Sequence, residues 1–228
     1  MDGLGFSWDF LLTATVTLFV VVDPLGVIPI FASLTAGTSF RHRISMAVRA
    51  VFIATVVMAL FALFGEVLIT RIGIGMPAFR TAGGILLFLI GLEMVFERRT
   101  RRRTIAAEKS LAEHELDSLY DQRPEDISVF PLALPLLAGP GAMASILLLM
   151  SENQGMLGAQ ATVLAGLVIV MMVTLVLLIS AGPLLDYAGE TASIVITRVM
   201  GMILAALSVQ YVFDGLQSGL GLGAAPGT

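Results

Sequence analysis

The residue whose type and place invite chemistry is Asp23, in the run Phe19-Val20-Val21-Val22-Asp23-Pro24-Leu25-Gly26. The apolar stretch that holds it starts at Phe10, so Asp23 lies roughly 20 Å along a helix that rises ~1.5 Å per residue. If that stretch crosses a bilayer, the carboxylate is past the middle. A charge at that depth costs ~2.5–3.5 kcal/mol on insertion scales and calls for a partner or a function. A deep carboxylate can hold an ammonium group or carry a proton. It also has a purely structural reading, because Asp is a favoured helix N-cap and Pro a favoured first helical residue. A half-helix starting at Pro24 and capped by Asp23 is compatible with either role.

A second place reads Gly139-Pro140-Gly141, with no capping side chain. A helix starting there presents bare backbone N–H groups and the positive end of its dipole, which suits an anion. Glycine at 139 and 141 allows close backbone approach. The candidate substrate-binding residues are therefore Asp23, Pro24 and Gly26 on one side, with Gly139, Pro140 and Gly141 on the other. The first group would take an ammonium and the second a carboxylate, so a small zwitterion satisfies both.

Hydrolytic or transfer chemistry finds little to work with. The chain has no cysteine, and His42 and His114 sit in charged connecting segments. Asp23 has no equally deep acidic partner in sequence. No catalytic residue, metal site or cofactor is expected, and a membrane enzyme is the weakest reading. No G-x-x-x-x-G-K-[ST] occurs, which argues against an ATP-driven pump. The candidate coupling ions are H⁺ carried on Asp23 and Na⁺ held by carbonyls that proline frees.

These residues must be positioned by membrane helices. The 228 residues are 57% hydrophobic and 13% charged, with a mean hydropathy of +0.94. A soluble domain carries about a quarter charged residues. Of the 13 basic and 17 acidic residues, 15 lie between Glu97 and Asp126. Soluble enzymes, nucleic-acid binders and disordered chains are excluded on those grounds. Six apolar runs have the ~20 residues needed to span a membrane: Phe10–Phe31, Met46–Ile69, Ala78–Phe96, Ile127–Met150, Leu157–Leu185 and Ala192–Phe213. The fifth is longer than needed, and a break is expected at Gly182-Pro183. The lipid bilayer is the one certain partner, and no nucleic acid is expected.

Arg41 and Arg43 fall in the first connection, and Arg98, Arg99, Arg101, Arg102 and Arg103 open the third. Positive residues mark cytoplasmic loops. The protein is thus expected to be multi-pass in the inner (plasma) membrane, with segment 97–126 cytoplasmic and both termini outside. The arginine cluster reads as a stop-transfer anchor against anionic lipid. The expected organisation is a first three-helix repeat over 1–96, a charged linker over 97–126 and a second three-helix repeat over 127–228.

The two halves match at an offset of 116 to 118 residues. Asp23-Pro24-Leu25-Gly26 falls opposite Gly139-Pro140-Gly141-Ala142. Arg80, Gly83, Ile85, Leu86 and Leu89 meet Arg198, Gly201, Ile203, Leu204 and Leu207. An odd number of spans per repeat turns the second half upside down, the architecture common among secondary transporters. Pro24 and Pro29 in the first half and Pro131, Pro135 and Pro140 in the second break the first span of each. Paired breaks of that kind point to a midplane binding site. The fold expected is an all-α polytopic membrane protein, six helices in two inverted three-helix repeats, with helices 1 and 4 broken.

At these residues the chain resembles the MarC family of integral membrane proteins. The resemblance is carried by Phe19 to Phe31, by Phe79-Arg80-Thr81-Ala82-Gly83-Gly84-Ile85-Leu86-Leu87-Phe88 and by Pro131 to Ala142. It implies six spans, as in the similar LysE-type exporters, a homodimer by that same similarity, and transport of small neutral amino acids as in some relatives. The expected function is a secondary transporter for glycine- or alanine-like amino acids or similar small metabolites. The alternatives are an exporter of drugs or other metabolites, and a non-transporting structural or regulatory membrane protein.

Overall fold

A computed structural model describes residues 7–98, 102–105 and 128–221, and these are helical, with no strand among them. The first apolar run is two helices, α1 (Trp8–Val22) and α2 (Pro24–Leu34), separated by Asp23 alone. Next come α3 (Phe40–Arg71), whose N-cap Ser39 accepts from the His42 N–H, and α4 (Met76–Val95), with Pro77 in its first turn. A π-helix covers Ser128–Leu137. Pro131 and Pro135 lack the N–H groups an α-helical ladder would use there. The wider turn is visible where Ala138 N–H donates to Ala133 O, five residues back, at 3.0 Å. Then follow α5 (Pro140–Glu152), α6 (Leu157–Ile179) and α7 (Ala181–Leu220).

Among the described residues, five stretches are long and apolar enough to cross a membrane: Trp8–Leu34, Phe40–Arg71, Met76–Val95, Leu157–Ile179 and Ser193–Leu220. The fourth expected span, Ile127–Met150, is different. Its described part is the π-helix and the 13-residue α5 end to end, and neither piece is long enough alone. The break expected at Gly182-Pro183 falls earlier, at Ser180. Pro183 lies in the first turn of α7, where the missing N–H has no helical partner to lose. The charged linker beyond residue 105 lies outside the described residues.

The halves interlock. Helices α1 and α2 pack on α6, while the π-helix and α5 pack on α3. In the same crossed sense α2 lies on α7 and α5 on α4. The most extensive pair is α4 with α7, which run antiparallel: Gly84 faces Ser208 and Val212, Gly91 faces Gly201 and Ala205, and Gly215 faces Thr81 and Pro77. A Cβ on Gly91 would sit 2.9 Å from the Gly201 carbonyl, and one on Gly201 would sit 2.8 Å from the Gly91 carbonyl. Only glycine lets the two backbones meet this closely, a packing device frequent between membrane helices.

On α3 the buried face is small, with Ala47, Ala50, Ala54, Ala62 and Gly65, whereas Phe52, Val56, Leu60 and Phe64 are exposed at four-residue intervals. An exposed apolar stripe on a long helix is what lipid contact requires. The interior is filled by Leu18, Phe31, Met58, Leu132, Leu136, Leu147 and Leu148. Both helix breaks lie within it.

Candidate functional site

The Asp23 break is shaped by local rules. Asp23 has φ 54 and ψ 60, left-handed geometry that ends α1, and its N–H donates to Phe19 O at 2.9 Å. That conformation costs ~1–2 kcal/mol for most side chains, and Asp is among the few residues that visit it routinely. Its carboxylate then turns back to accept from Gly26 N–H at 3.2 Å, capping α2 as expected. A Cβ on Gly26 would land on the carboxylate itself, so a glycine is needed to leave room for the cap. Pro29 has no N–H for the carbonyl of Leu25, and the Ser193 hydroxyl from α7 donates to that carbonyl instead, at 2.7 Å.

The second break adjoins the first. Gly139 is the N-cap of α5 with no side-chain cap, and the π-helix ends just before it. The space beside Gly141 is bounded by Val21 of α1, whose Cγ1 would be 3.5 Å from a Cβ there, and by Ile90 of α4, whose Cδ1 a Cβ would strike. Gly141 therefore has a packing reason as well as a ligand-approach reason. Gly139 is buried and Pro140 exposed. The sequence-predicted residues on the two sides, Asp23, Pro24 and Gly26 with Gly139, Pro140 and Gly141, are brought to one region.

One residue in that region was not foreseen. The guanidinium of Arg103 reaches Asp23, with Nη1 3.4 Å from Oδ2, while its Nη2 donates to Leu136 O at 3.0 Å. The side chains are 12% and 3% exposed, so the pair is withdrawn from water. Leu136 O is the carbonyl four residues before Pro140, which cannot donate to it. Thr197 of α7 adds a hydroxyl donating to Asp23 Oδ1 at 3.3 Å. Burial pulls the Arg103 guanidinium below its ordinary pKa, and the Asp23 charge opposes that. The anchor reading of the arginine cluster is thus corrected for Arg103, which serves the interior.

Two features bring Arg103 in. Glu97 has φ 62, and together with Asp23 it is one of two non-glycine residues with positive φ among the described residues. Residues 102–105 lie beside the end of α4. Arg102 then pairs with Glu93, and Arg198 of α7 pairs with Glu97 at 2.5 Å. A charge run next to a span reads as solvated surface, which hid Arg103. The available signal was a carboxylate at membrane depth, which calls for a partner.

A second polar group gathers at the other end of α4, where the charges of Arg80 and Asp214 act on Glu152 and Gln210 donates to Asp214 at 2.9 Å. Glu152 lies beyond the apolar run that ends at Met150. Burial raises its pKa, Arg80 partly offsets that, and Asp214 adds to it. The buried Nε of Arg80 has no hydrogen-bond partner among the described residues. No set of three or more His, Asp or Glu side chains is placed to hold a metal among the described residues.

Residues 8–220 match the family described as MarC family integral membrane protein. The chain belongs to the MarC family. Within it, the protein is 34% identical over 212 residues to a UPF0056 membrane protein of Methanocaldococcus jannaschii, covering 93% of this chain and 98% of the relative. It is 33% identical to one from Archaeoglobus fulgidus, over 95% and 96% of the two chains. It is 30% identical to the Bacillus subtilis UPF0056 membrane protein YvbG, over 92% and 95%. No solved structure matches. The MarC protein is an integral, multi-pass membrane protein, and the relatives' names state a membrane setting without a substrate.

Proposed function

We propose that this MarC-family protein is a secondary transporter for small neutral amino acids such as glycine and alanine, or similar small zwitterions, working by alternating access. The observation that carries the reading is the meeting of two helix breaks, one bearing a buried carboxylate and the other an uncapped helix start. A substrate ammonium goes to Asp23, and its carboxylate goes to the N–H groups at Gly141. Six spans in two inverted three-helix halves, 1–96 and 127–228, are supported by the crossed packing: the first span of each half lies on the second span of the other. The arginine-rich 97–126 connection then faces the cytoplasm and both termini face outward.

The coupling ion is H⁺ on Asp23 or Na⁺ at the carbonyls freed by Pro29 and Pro140, Leu25 O and Leu136 O. Both places have partners in the structure, Asp23 in Gly26, Thr197 and Arg103 and the carbonyls in Ser193 and Arg103. No catalytic role is assigned to any of these side chains.

Thermal unfolding in detergent tests the binding step, since a ligand that binds only the folded state raises its stability. Glycine and alanine are expected to raise the melting temperature of the native protein dose-dependently and to leave Asp23→Asn unmoved. A panel of small zwitterions without effect on the native protein would count against the reading.

A further inference from the structure

Asp23 is not vacant: the place where a substrate ammonium would sit already holds a cation supplied by the chain itself. Arg103 spans two acceptors from different elements, Asp23 Oδ2 at the first helix break and Leu136 O at the end of the π-helix. Thr197 Oγ1 holds the other carboxylate oxygen, so Asp23 is oriented from α7 while its second oxygen faces the guanidinium. Arg103 lies in the described stretch 102–105, which is held beside α4 by the Arg102–Glu93 pair, and Glu97 just past α4 has positive φ. Left-handed geometry at a residue other than glycine persists only where the surroundings fix it. Glu97 is fixed by Arg198, one residue from Thr197. The tether and the acceptor it serves are therefore joined through a single turn of α7.

We propose that Asp23 Oδ2 and the Leu136 carbonyl form a subsite for an organic cation, an ammonium or guanidinium group, and that Arg103 is its tethered occupant, displaced when substrate enters. The inference rests on the transporter reading for the identity of the substrate, but not for the existence of the subsite. A tethered group that fills a site in most molecules lowers apparent affinity by the fraction of sites it leaves free. Removing it should raise affinity for a zwitterion by about tenfold or more. If Arg103 instead held the substrate carboxylate, its removal would weaken binding.

The test uses the full-length protein in detergent, with Arg103→Ala and, in case that variant folds poorly, Arg103→Gln. Methylguanidinium at millimolar concentration replaces the missing side chain. It should raise the melting temperature of either variant dose-dependently, without effect on the native protein or on Asp23→Asn/Arg103→Ala. Glycine should bind the Arg103 variants about tenfold tighter than the native protein. Methylguanidinium that stabilises neither variant, or stabilises the Asp23→Asn double variant equally, overturns the subsite. Rescue by methylguanidinium with no glycine binding by any form upholds the subsite and overturns the zwitterion reading. Glycine binding that is unchanged or weakened in the variants overturns displacement and leaves the transporter reading standing.

Discussion

Asp23 and Arg103 are each costly alone in the interior, and each removes the cost of the other. Deleting one member of a buried ion pair is worth ~3–5 kcal/mol, because the remaining charge is stranded. Arg103→Ala is expected to destabilise the protein by about that much, and Asp23→Asn/Arg103→Ala to recover most of it. Chemical or thermal unfolding of the four proteins in one detergent provides the cycle. Near-additive losses would mean that the 3.4 Å contact carries little energy. Glu152 poses the opposite case. Its pKa is raised by burial, so its ionised form is the disfavoured one in the folded protein. The stability tied to it is present below the pKa of an unfolded glutamate and falls as pH rises through the folded value. Glu152→Gln should therefore raise the melting temperature at pH 7, with the gain fading toward pH 4. A variant that melts lower than the native protein at pH 7 would instead give the Arg80 attraction the larger weight.

Among the elements, the broken helices depend on borrowed donors. Pro29 removes the partner of Leu25 O, and Ser193 supplies another at 2.7 Å. An unsatisfied buried acceptor costs ~1–3 kcal/mol. Ser193→Ala should lose about that amount, and Pro29→Ala added to it should restore stability, since residue 29 would regain the N–H that Leu25 O needs. A double variant no more stable than Ser193→Ala would contradict this account of the break. The α4–α7 seam makes a similar demand on glycine. Gly91→Ala puts a Cβ 2.9 Å from backbone on the facing helix, so the helices must separate, at a cost of ~1–3 kcal/mol. A melting temperature unchanged by Gly91→Ala would show that the seam yields freely.

Both breaks were readable from the chain, because Asp23-Pro24 and Gly139-Pro140 carry local stop and start signals inside apolar runs. The glycine seam was not, since Gly91 and Gly215 have no glycine opposite them in the repeat. The π-helical form of Ser128–Leu137 was not, since two prolines announce a broken ladder but not the shape that replaces it. Arg103 was hidden for another reason. It meets Asp23 across 80 positions of sequence, and Glu97 between them adopts a conformation that glutamate rarely takes. Composition reads a run of arginines as surface, and only the fold shows that Arg103 points inward.

For the whole molecule, the account is that two interlocked halves hold a charged, occluded centre which substrate opens. The crossed packing of first and second spans ties each half to the other. Under the proposed function, the ion pair at Asp23 is the arrangement that substrate displaces. Flux tests this most directly: uptake of labelled glycine and alanine into proteoliposomes holding equal amounts of native protein and of folded Asp23→Asn. The account predicts saturable uptake by the native protein, competed by unlabelled amino acid and abolished in Asp23→Asn. Vesicles with native protein that take up no more than empty ones, or equal uptake by Asp23→Asn, would contradict it.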